Sequence, residues 1–164
     1  MTELAQIRLR TLGWFLLFPV AFLGWVPWWL HHRFEGSFRW EGDLLQWLGI
    51  WLLANGVGLV GWCVELFNVQ GGGTPLPLDP PKRFVAAGPY RLVRNPMALG
   101  FLLSLGGQAV LYGSWTIAGY LLVVAVAVHL FVVCVEEPDL KKRFGPSYEA
   151  YRKRVSRWLP RPPV

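Results

Sequence analysis

The sequence predicts an all-α integral membrane protein with four transmembrane helices, a cytoplasmic proline-rich loop and a C-terminal amphipathic helix on the membrane surface. Three observations lead to this prediction. Four long apolar stretches lie within 164 residues, of which 54% are hydrophobic. The basic residues are concentrated on one side of these stretches, and most tryptophans lie near the other boundary. We expect a single transmembrane domain covering residues 1–164.

The predicted spans cover residues 11–30, 44–67, 96–112 and 115–135. The first contains twenty residues without a charge, and at about 1.5 Å per residue its helix is about 30 Å long, the thickness of a bilayer core. Its apolar run is too long for a cleavable signal, so we expect it to stay as an anchor. The second span carries one charge, Glu65, and the later two carry no Asp, Glu, Lys or Arg. Four such stretches leave too little polar chain to cover them in water.

Charge placement predicts the orientation of these spans. Fourteen of the 16 lysines and arginines lie in the N-terminal tail, between spans two and three, or in the C-terminal tail. Only Arg33 and Arg39 lie between spans one and two, and none lies between spans three and four. This asymmetry is the positive-inside pattern, and it places both termini in the cytoplasm. The same placement argues against a nucleic-acid partner, although the net charge is +6.

The segments that flank the third and fourth spans have a composition unlike that of a linker. Residues 70–95 contain five prolines, which exclude a regular helix, and enough apolar residues to pack across the cytoplasmic mouth of the bundle. After the fourth span, Pro138 suits the first turn of a new helix. Apolar residues then recur every three or four positions between basic ones, which predicts an interfacial helix interrupted at Gly145–Pro146.

Candidate site residues lie in the turn before the third span. Gly88 permits close backbone approach to a ligand. Arg91 and Arg94 are able to hold a carboxylate or phosphate, and Pro96 opens a helix whose free N–H groups favour an anion. For each arginine alone, the positive-inside pattern is a sufficient explanation.

An acidic pair, Glu136–Glu137, follows the fourth span directly. These carboxylates need a partner, which is either a structural salt bridge to Arg91 or Arg94, or a ligand with hydroxyl or ammonium groups. His129 lies seven residues before Glu136, so a regular helix would place both on one face. A lone histidine in a span is most simply a bundle-facing residue, and no spacing of His or Cys suggests a metal site.

Three stretches, GTPLPLDPP, GPYRLVRNPMALG and EEPDLKKRFGPSYEAYRKRV, follow one another within residues 73–160. Together they resemble the bacterial branch of the isoprenylcysteine carboxyl methyltransferase family, which is similar in turn to membrane phospholipid methyltransferases. The resemblance implies S-adenosylmethionine as the cofactor, bound at the cytoplasmic face between segments 70–96 and 136–160. It also implies a lipophilic substrate that enters from the bilayer, and the inner (plasma) membrane of a bacterium as the location.

The resemblance also assigns roles to individual residues. The cofactor cradle falls on Gly88, Pro89, Tyr90, Asn95, Pro96 and Gly100, with Glu136 and Glu137 at the cofactor's polar groups. We expect Arg94, at the family's functional arginine position, and Glu137 to be catalytic. On the substrate side we place Arg91, His129, Tyr148 and Tyr151. The chain departs from many relatives, which have His at the position of Asn95 and Tyr at the position of Ala98, and these differences bear on the substrate more than on the cofactor.

The chemistry of the acceptor stays open at this level. A carboxylate acceptor would need only orientation by Arg94, whereas an amine or thiol would need a base such as Glu137 or His129. Membrane lipids and a lipophilic or prenyl-like small molecule are the expected partners, and the oligomeric state is open. Two other functions remain: a non-enzymatic lipid-binding or scaffold protein, and a nicotinamide-dependent membrane reductase, because sterol reductases look similar in their C-terminal parts.

Overall fold

The computed structural model describes residues 6–9, 11–13, 20–72 and 83–160. Within these residues the chain is helical and contains no β-strand. The helices are α1 (Val26–Phe34), α2 (Leu44–Leu66), α3 (Pro96–Tyr112), α4 (Trp115–Phe131) and α5 (Glu137–Arg154). Shorter helical turns are a 3-10 turn at Gly88–Arg91 and π turns at Val20–Trp25, Phe67–Gly71 and Val132–Glu136.

Local signals explain where these helices begin. The Asp43 side chain accepts a hydrogen bond from the backbone N–H of Gln46 at the start of α2, and Ser114 accepts one from Ile117 at the start of α4. Pro96 opens α3, as the sequence predicts. The predicted interruption of the C-terminal helix is also present, because Gly145 has φ 49° and breaks α5 before Pro146.

Two continuous helical segments, Leu44–Gly71 and Trp115–Arg154, are long and apolar enough to cross a membrane, and α3 is apolar but shorter. Only 17% and 11% of their most apolar stretches are buried inside the protein. Apolar side chains exposed along a helix are what a lipid-facing surface presents. The four-span arrangement stays a prediction, and residues 14–19 of the first predicted span, like residues 73–82 of the proline-rich loop, lie outside the described residues.

Helices α2 and α3 form the tightest contact of the bundle. Two pairs of glycines, each spaced by seven residues, line it: Gly49 and Gly56 on α2, and Gly100 and Gly107 on α3. A Cβ atom on Gly49 or Gly107 would lie 2.5 Å from a backbone nitrogen of the facing helix. Small residues therefore bring the two backbones into direct contact, a common packing mode of membrane helices.

Beyond α5 the chain turns back on itself. Val155 is extended, and residues 155–158, which we call the strap, run beside the turn that precedes α3. Val93 and Ser156 form an isolated parallel bridge, and the backbone N–H of Arg94 donates to the carbonyl of Ser156 at 2.8 Å. The strap therefore brings the C-terminal region to the turn where the sequence places the site.

Candidate functional site

The predicted arginine and one predicted glutamate meet where α4, α5 and the turn before α3 converge. Arg94 Nη1 lies 2.9 Å from Glu137 Oε1, and each side chain is only 10% exposed. The structural salt bridge that the sequence left open is therefore formed, between Arg94 and the second glutamate of the pair. A buried ion pair is costly to desolvate and needs further hydrogen bonds to be maintained.

Those further bonds come from Arg157, in the strap. Its Nε donates to Glu137 Oε1 at 2.7 Å and its Nη2 donates to Oε2 at 2.9 Å. This is the two-bond fork by which a guanidinium holds a carboxylate. Sequence reasoning counted Arg157 only as part of the basic tail. It lies within the stretch of family resemblance, but no local spacing connects it with a residue 20 positions earlier.

The surroundings of Glu137 hold it in the charged form. Burial raises the pKa of Glu137, but the hydrogen bond from Arg157 and the charge of Arg94 outweigh burial, so that the pKa is below its ordinary value. Its carboxylate oxygens are already occupied by two cations. Glu137 is therefore suited to position Arg94 and poorly suited to accept a proton.

The neighbouring Glu136 is in the opposite situation. Its side chain is half-buried, and within the described part of the chain it makes no hydrogen bond or ion pair. Burial, followed by the adjacent charge of Glu137, raises the pKa of Glu136. Two neighbouring carboxyl groups whose pKa values are driven apart have separate chemical roles available to them.

Three tyrosines, the buried Tyr90 and Tyr148 and the half-buried Tyr151, surround this ionic centre. Arg94 Nη1 donates to Tyr148 Oη at 3.4 Å, and Tyr151 Oη donates to the carbonyl of Tyr90 at 2.6 Å. Burial raises the pKa of all three hydroxyls, so they stay neutral at physiological pH. Phe84 packs its ring against those of Tyr148 and Tyr151. The tyrosines thus supply an apolar wall with a few neutral donors.

The rest of the predicted cradle packs under this centre. Asn95 is 8% exposed and donates from Nδ2 to the carbonyl of Arg157 at 3.3 Å. Gly88 has φ 55°, and a Cβ there would lie 3.0 Å from Leu66. Pro89 and Pro96 are buried beside them. Asn95 therefore joins the strap to the site, and Gly88 is required by the fit of the turn against α2.

Three predicted residues, Gly100, Arg91 and His129, lie apart from the centre. Gly100 is in the α2–α3 contact, against Val60. Arg91 lines a different cavity, of about 460 Å³, to which Tyr151, beside the centre, also contributes. His129 is exposed and accepts a hydrogen bond from Trp158 Nε1 at its Nδ1, at 3.1 Å.

The shared face predicted for His129 and Glu136 assumed a regular α-helix between them. The π turn at Val132–Glu136 lies between them and changes the helical register.

One atom of the centre lacks a partner among the described residues. Arg94 Nε is buried and forms no hydrogen bond. An unused guanidinium donor, together with an unpaired carboxylate next in sequence to Glu137, suits a ligand that carries both an acceptor group and a positive group. The same residues make no metal site, since no cluster of three His, Cys, Asp or Glu side chains occurs in the described part of the chain.

Comparison with known proteins agrees with this chemistry. The family model of the phospholipid methyltransferases matches residues 44–147. Methanethiol S-methyltransferase 1 of Bradyrhizobium diazoefficiens is 38% identical over 82 residues, which is 49% of this chain and 27% of that protein. Methanethiol S-methyltransferase 2 of the same organism is 36% identical over 74 residues, covering 44% of this chain and 27% of the relative. The matched part of this chain thus spans about a quarter of each relative, and no solved structure matches it.

Proposed function

Because the chain belongs to the phospholipid methyltransferase family, we propose that it is a membrane enzyme that transfers a methyl group from S-adenosylmethionine to a small lipophilic acceptor at the cytoplasmic face. The observation that carries the proposal is the incomplete ionic centre. Arg94 and Glu137 are paired and buried, while Arg94 Nε and the Glu136 carboxylate have no partner among the described residues.

These two unused groups fit the cofactor. When bound, S-adenosylmethionine supplies a methyl group that its positive sulfonium already activates, together with an ammonium, a carboxylate and ribose hydroxyls. Glu136 would hold the ammonium or the hydroxyls, and the free N–H of Arg94 would donate to the carboxylate. Glu137 would keep Arg94 in place through their 2.9 Å contact. The buried tyrosines would exclude water from this region.

A thiol is the acceptor that the relatives' names favour over a carboxylate or an amine. A thiol attacks as the thiolate, so its proton needs an acceptor. Neither glutamate is free for this proton, because Glu137 is paired with two cations and Glu136 is assigned to the cofactor. His129 is also a poor candidate, since its Nδ1 is occupied by Trp158, so the thiol proton passes to water.

The membrane arrangement supports access for such an acceptor. The apolar sides of Leu44–Gly71 and Trp115–Arg154 are mostly exposed, as lipid-facing helices require. We place four spans in the bilayer, with both termini in the cytoplasm and α5 along the membrane surface. A small apolar thiol would then reach the centre from the lipid side.

The test is calorimetric titration of detergent-purified protein with S-adenosylhomocysteine. We compare the wild type with Glu136→Gln and with the matched control Glu149→Gln, which removes an exposed carboxylate paired with Lys141. We expect micromolar binding by the wild type, roughly tenfold or more weakening by Glu136→Gln, and no change in the control.

Absence of binding by well-folded wild-type protein would contradict the proposal and favour a non-enzymatic lipid-binding protein. Equal binding by all three proteins would support S-adenosylmethionine as the cofactor but would exclude a role for Glu136 in binding it. Methyl transfer from labelled S-adenosylmethionine to small thiols, carboxylates and amines then identifies the acceptor class.

A further inference from the structure

The strap contacts the site at successive residues. The Ser156 carbonyl accepts from the backbone N–H of Arg94 at 2.8 Å, and the Arg157 carbonyl accepts from Asn95 Nδ2 at 3.3 Å. Trp158 then donates to His129 at 3.1 Å. The strap is thus joined both to the turn before α3 and to α4, and the Arg157 side chain adds the fork to Glu137.

Arg94, Glu137 and Arg157, which form the ionic centre, differ in exposure. The side chains of Arg94 and Glu137 are each 10% exposed, whereas that of Arg157 is 30% exposed. Arg157 is therefore the member that lies toward solvent. Because both of its bonds go to Glu137, and Glu137 in turn pairs with Arg94, the position of the strap is coupled to the position of Arg94.

We propose that Arg157 is a positioning residue whose fork to Glu137 holds the strap closed over the site and fixes Arg94 through Glu137. The identity of the ligand that the strap retains, the cofactor, rests on the proposed function. Besides the fork, the strap's bonds to the turn before α3 are one backbone bond and one weak amide bond. The charge-assisted fork is consequently its strongest attachment.

The residue type follows from the geometry. A guanidinium makes two parallel bonds to one carboxylate, while a lysine ammonium is a point charge without a fixed direction. Arg157→Lys should therefore keep the charge of the site but hold the strap less firmly than Arg157 does. Arg157→Gln should lose both properties.

The first measurement is amide hydrogen exchange in the ligand-free protein, on peptides that contain Arg94 and the strap. We compare Arg157→Gln with Arg154→Gln, an exposed arginine beside the strap that has no acidic partner among the described residues. Arg157→Gln should speed exchange in these peptides roughly 10- to 100-fold. Arg157→Lys should lie between it and the wild type, and Arg154→Gln should match the wild type.

The second measurement is the dissociation rate of S-adenosylhomocysteine, which Arg157→Gln should raise roughly tenfold or more. Unchanged hydrogen exchange in Arg157→Gln would overturn the proposal, regardless of the dissociation rate of S-adenosylhomocysteine. Failure of the wild type to bind S-adenosylhomocysteine would instead overturn the proposed function, and the exchange data would still decide the role of Arg157. If Arg157→Gln does not fold, Arg157→Lys decides in its place, because wild-type exchange in that variant would exclude a requirement for the fork.

Discussion

A carboxylate lies at each end of the fourth predicted span, and the two carboxylates are used differently. At the N-terminal end, Glu35 accepts from the backbone N–H of Thr116 at 2.8 Å and from its hydroxyl at 2.6 Å, and His31 Nδ1 lies 3.0 Å away. At the C-terminal end, Glu137 is held by two guanidinium groups. Glu35 caps a helix N-terminus and accepts hydrogen bonds from largely neutral donors. Glu137 instead forms ion pairs with two arginines.

Among the described residues, both ends contain a buried nitrogen without a hydrogen-bond partner, but the two nitrogens are not equivalent. Whether a given His31 ring nitrogen carries a hydrogen depends on the tautomer, and the His31 ring packs against the Tyr112 ring. Arg94 Nε always carries a hydrogen and shares a permanent charge. Among the described residues, an unused donor that is always charged, and an unpaired Glu136 next in sequence to Glu137, therefore distinguish the candidate binding site from the structural cap.

The largest expected effect follows the replacement of Arg94. Arg94→Gln leaves Glu137 with one cation and removes the group that faces the ligand. The rate of methyl transfer to a thiol should fall roughly 30-fold or more. The matched change at the other end, Thr116→Val, removes a hydroxyl bond to Glu35 and should leave the rate unchanged. The measurement is the initial rate of methyl transfer at saturating cofactor. A rate for Arg94→Gln within threefold of the wild-type rate would contradict the comparison.

A smaller effect should appear in the pH dependence of binding. The pKa of Glu136 is raised, and we assign its ionised form to the cofactor ammonium, so affinity should fall as pH drops through that pKa. The loss therefore begins above about pH 4.3, where an ordinary glutamate titrates. Glu35, with a pKa of about 2, stays ionised over this range and keeps the other end intact. Titrations with S-adenosylhomocysteine at several pH values check this, and Glu136→Gln should give a flat profile; parallel profiles would refute the assignment.

The smallest effect concerns the cap. Burial raises the pKa of Glu35, but hydrogen bonds from Ser114 and Thr116 outweigh it and bring the pKa to about 2. Because the folded pKa is depressed, the stabilisation is present above about pH 4.3 and is lost as pH falls toward 2. Glu35→Ala should cost about 1 kcal/mol of stability at neutral pH, without a change in ligand affinity.

Thermal unfolding in detergent measures the cost of Glu35→Ala. The control is Glu41→Ala, in the same loop, whose backbone N–H rather than its carboxylate is engaged, with Gln46. Weaker ligand binding by Glu35→Ala would mean that the two ends are coupled, which the comparison does not allow.

Part of this arrangement is readable from the sequence because it is local. Pro96 predicts the start of α3, and Gly145–Pro146 predicts the break in α5. Both depend only on neighbouring backbone. The motifs also bring Arg94 and the acidic pair to notice, since ionisable residues next to apolar spans need partners.

The sequence could not show which partner each charged side chain takes. Arg94 had two glutamates available, and only the packing of α5 against the turn before α3 selects Glu137 and leaves Glu136 unpaired. The contact of Arg157 with Glu137 depends on the strap, and that of Glu35 with Thr116 joins positions 81 residues apart. The π turn at Val132–Glu136 likewise changes the helical register on which the predicted shared face of His129 and Glu136 depends.

By itself, the sequence determined an all-helical chain with long apolar helices, the family-type motifs and the residues from which a site would be built. The tertiary structure alone decided which carboxylate is paired with arginines and which is left for a ligand. It also decided that a C-terminal arginine completes the centre. The reason is physical. Helix starts and breaks follow from the dihedral preferences and hydrogen bonds of adjacent residues, whereas the charge state of a carboxyl group depends on its burial and on cations brought beside it from distant parts of the chain.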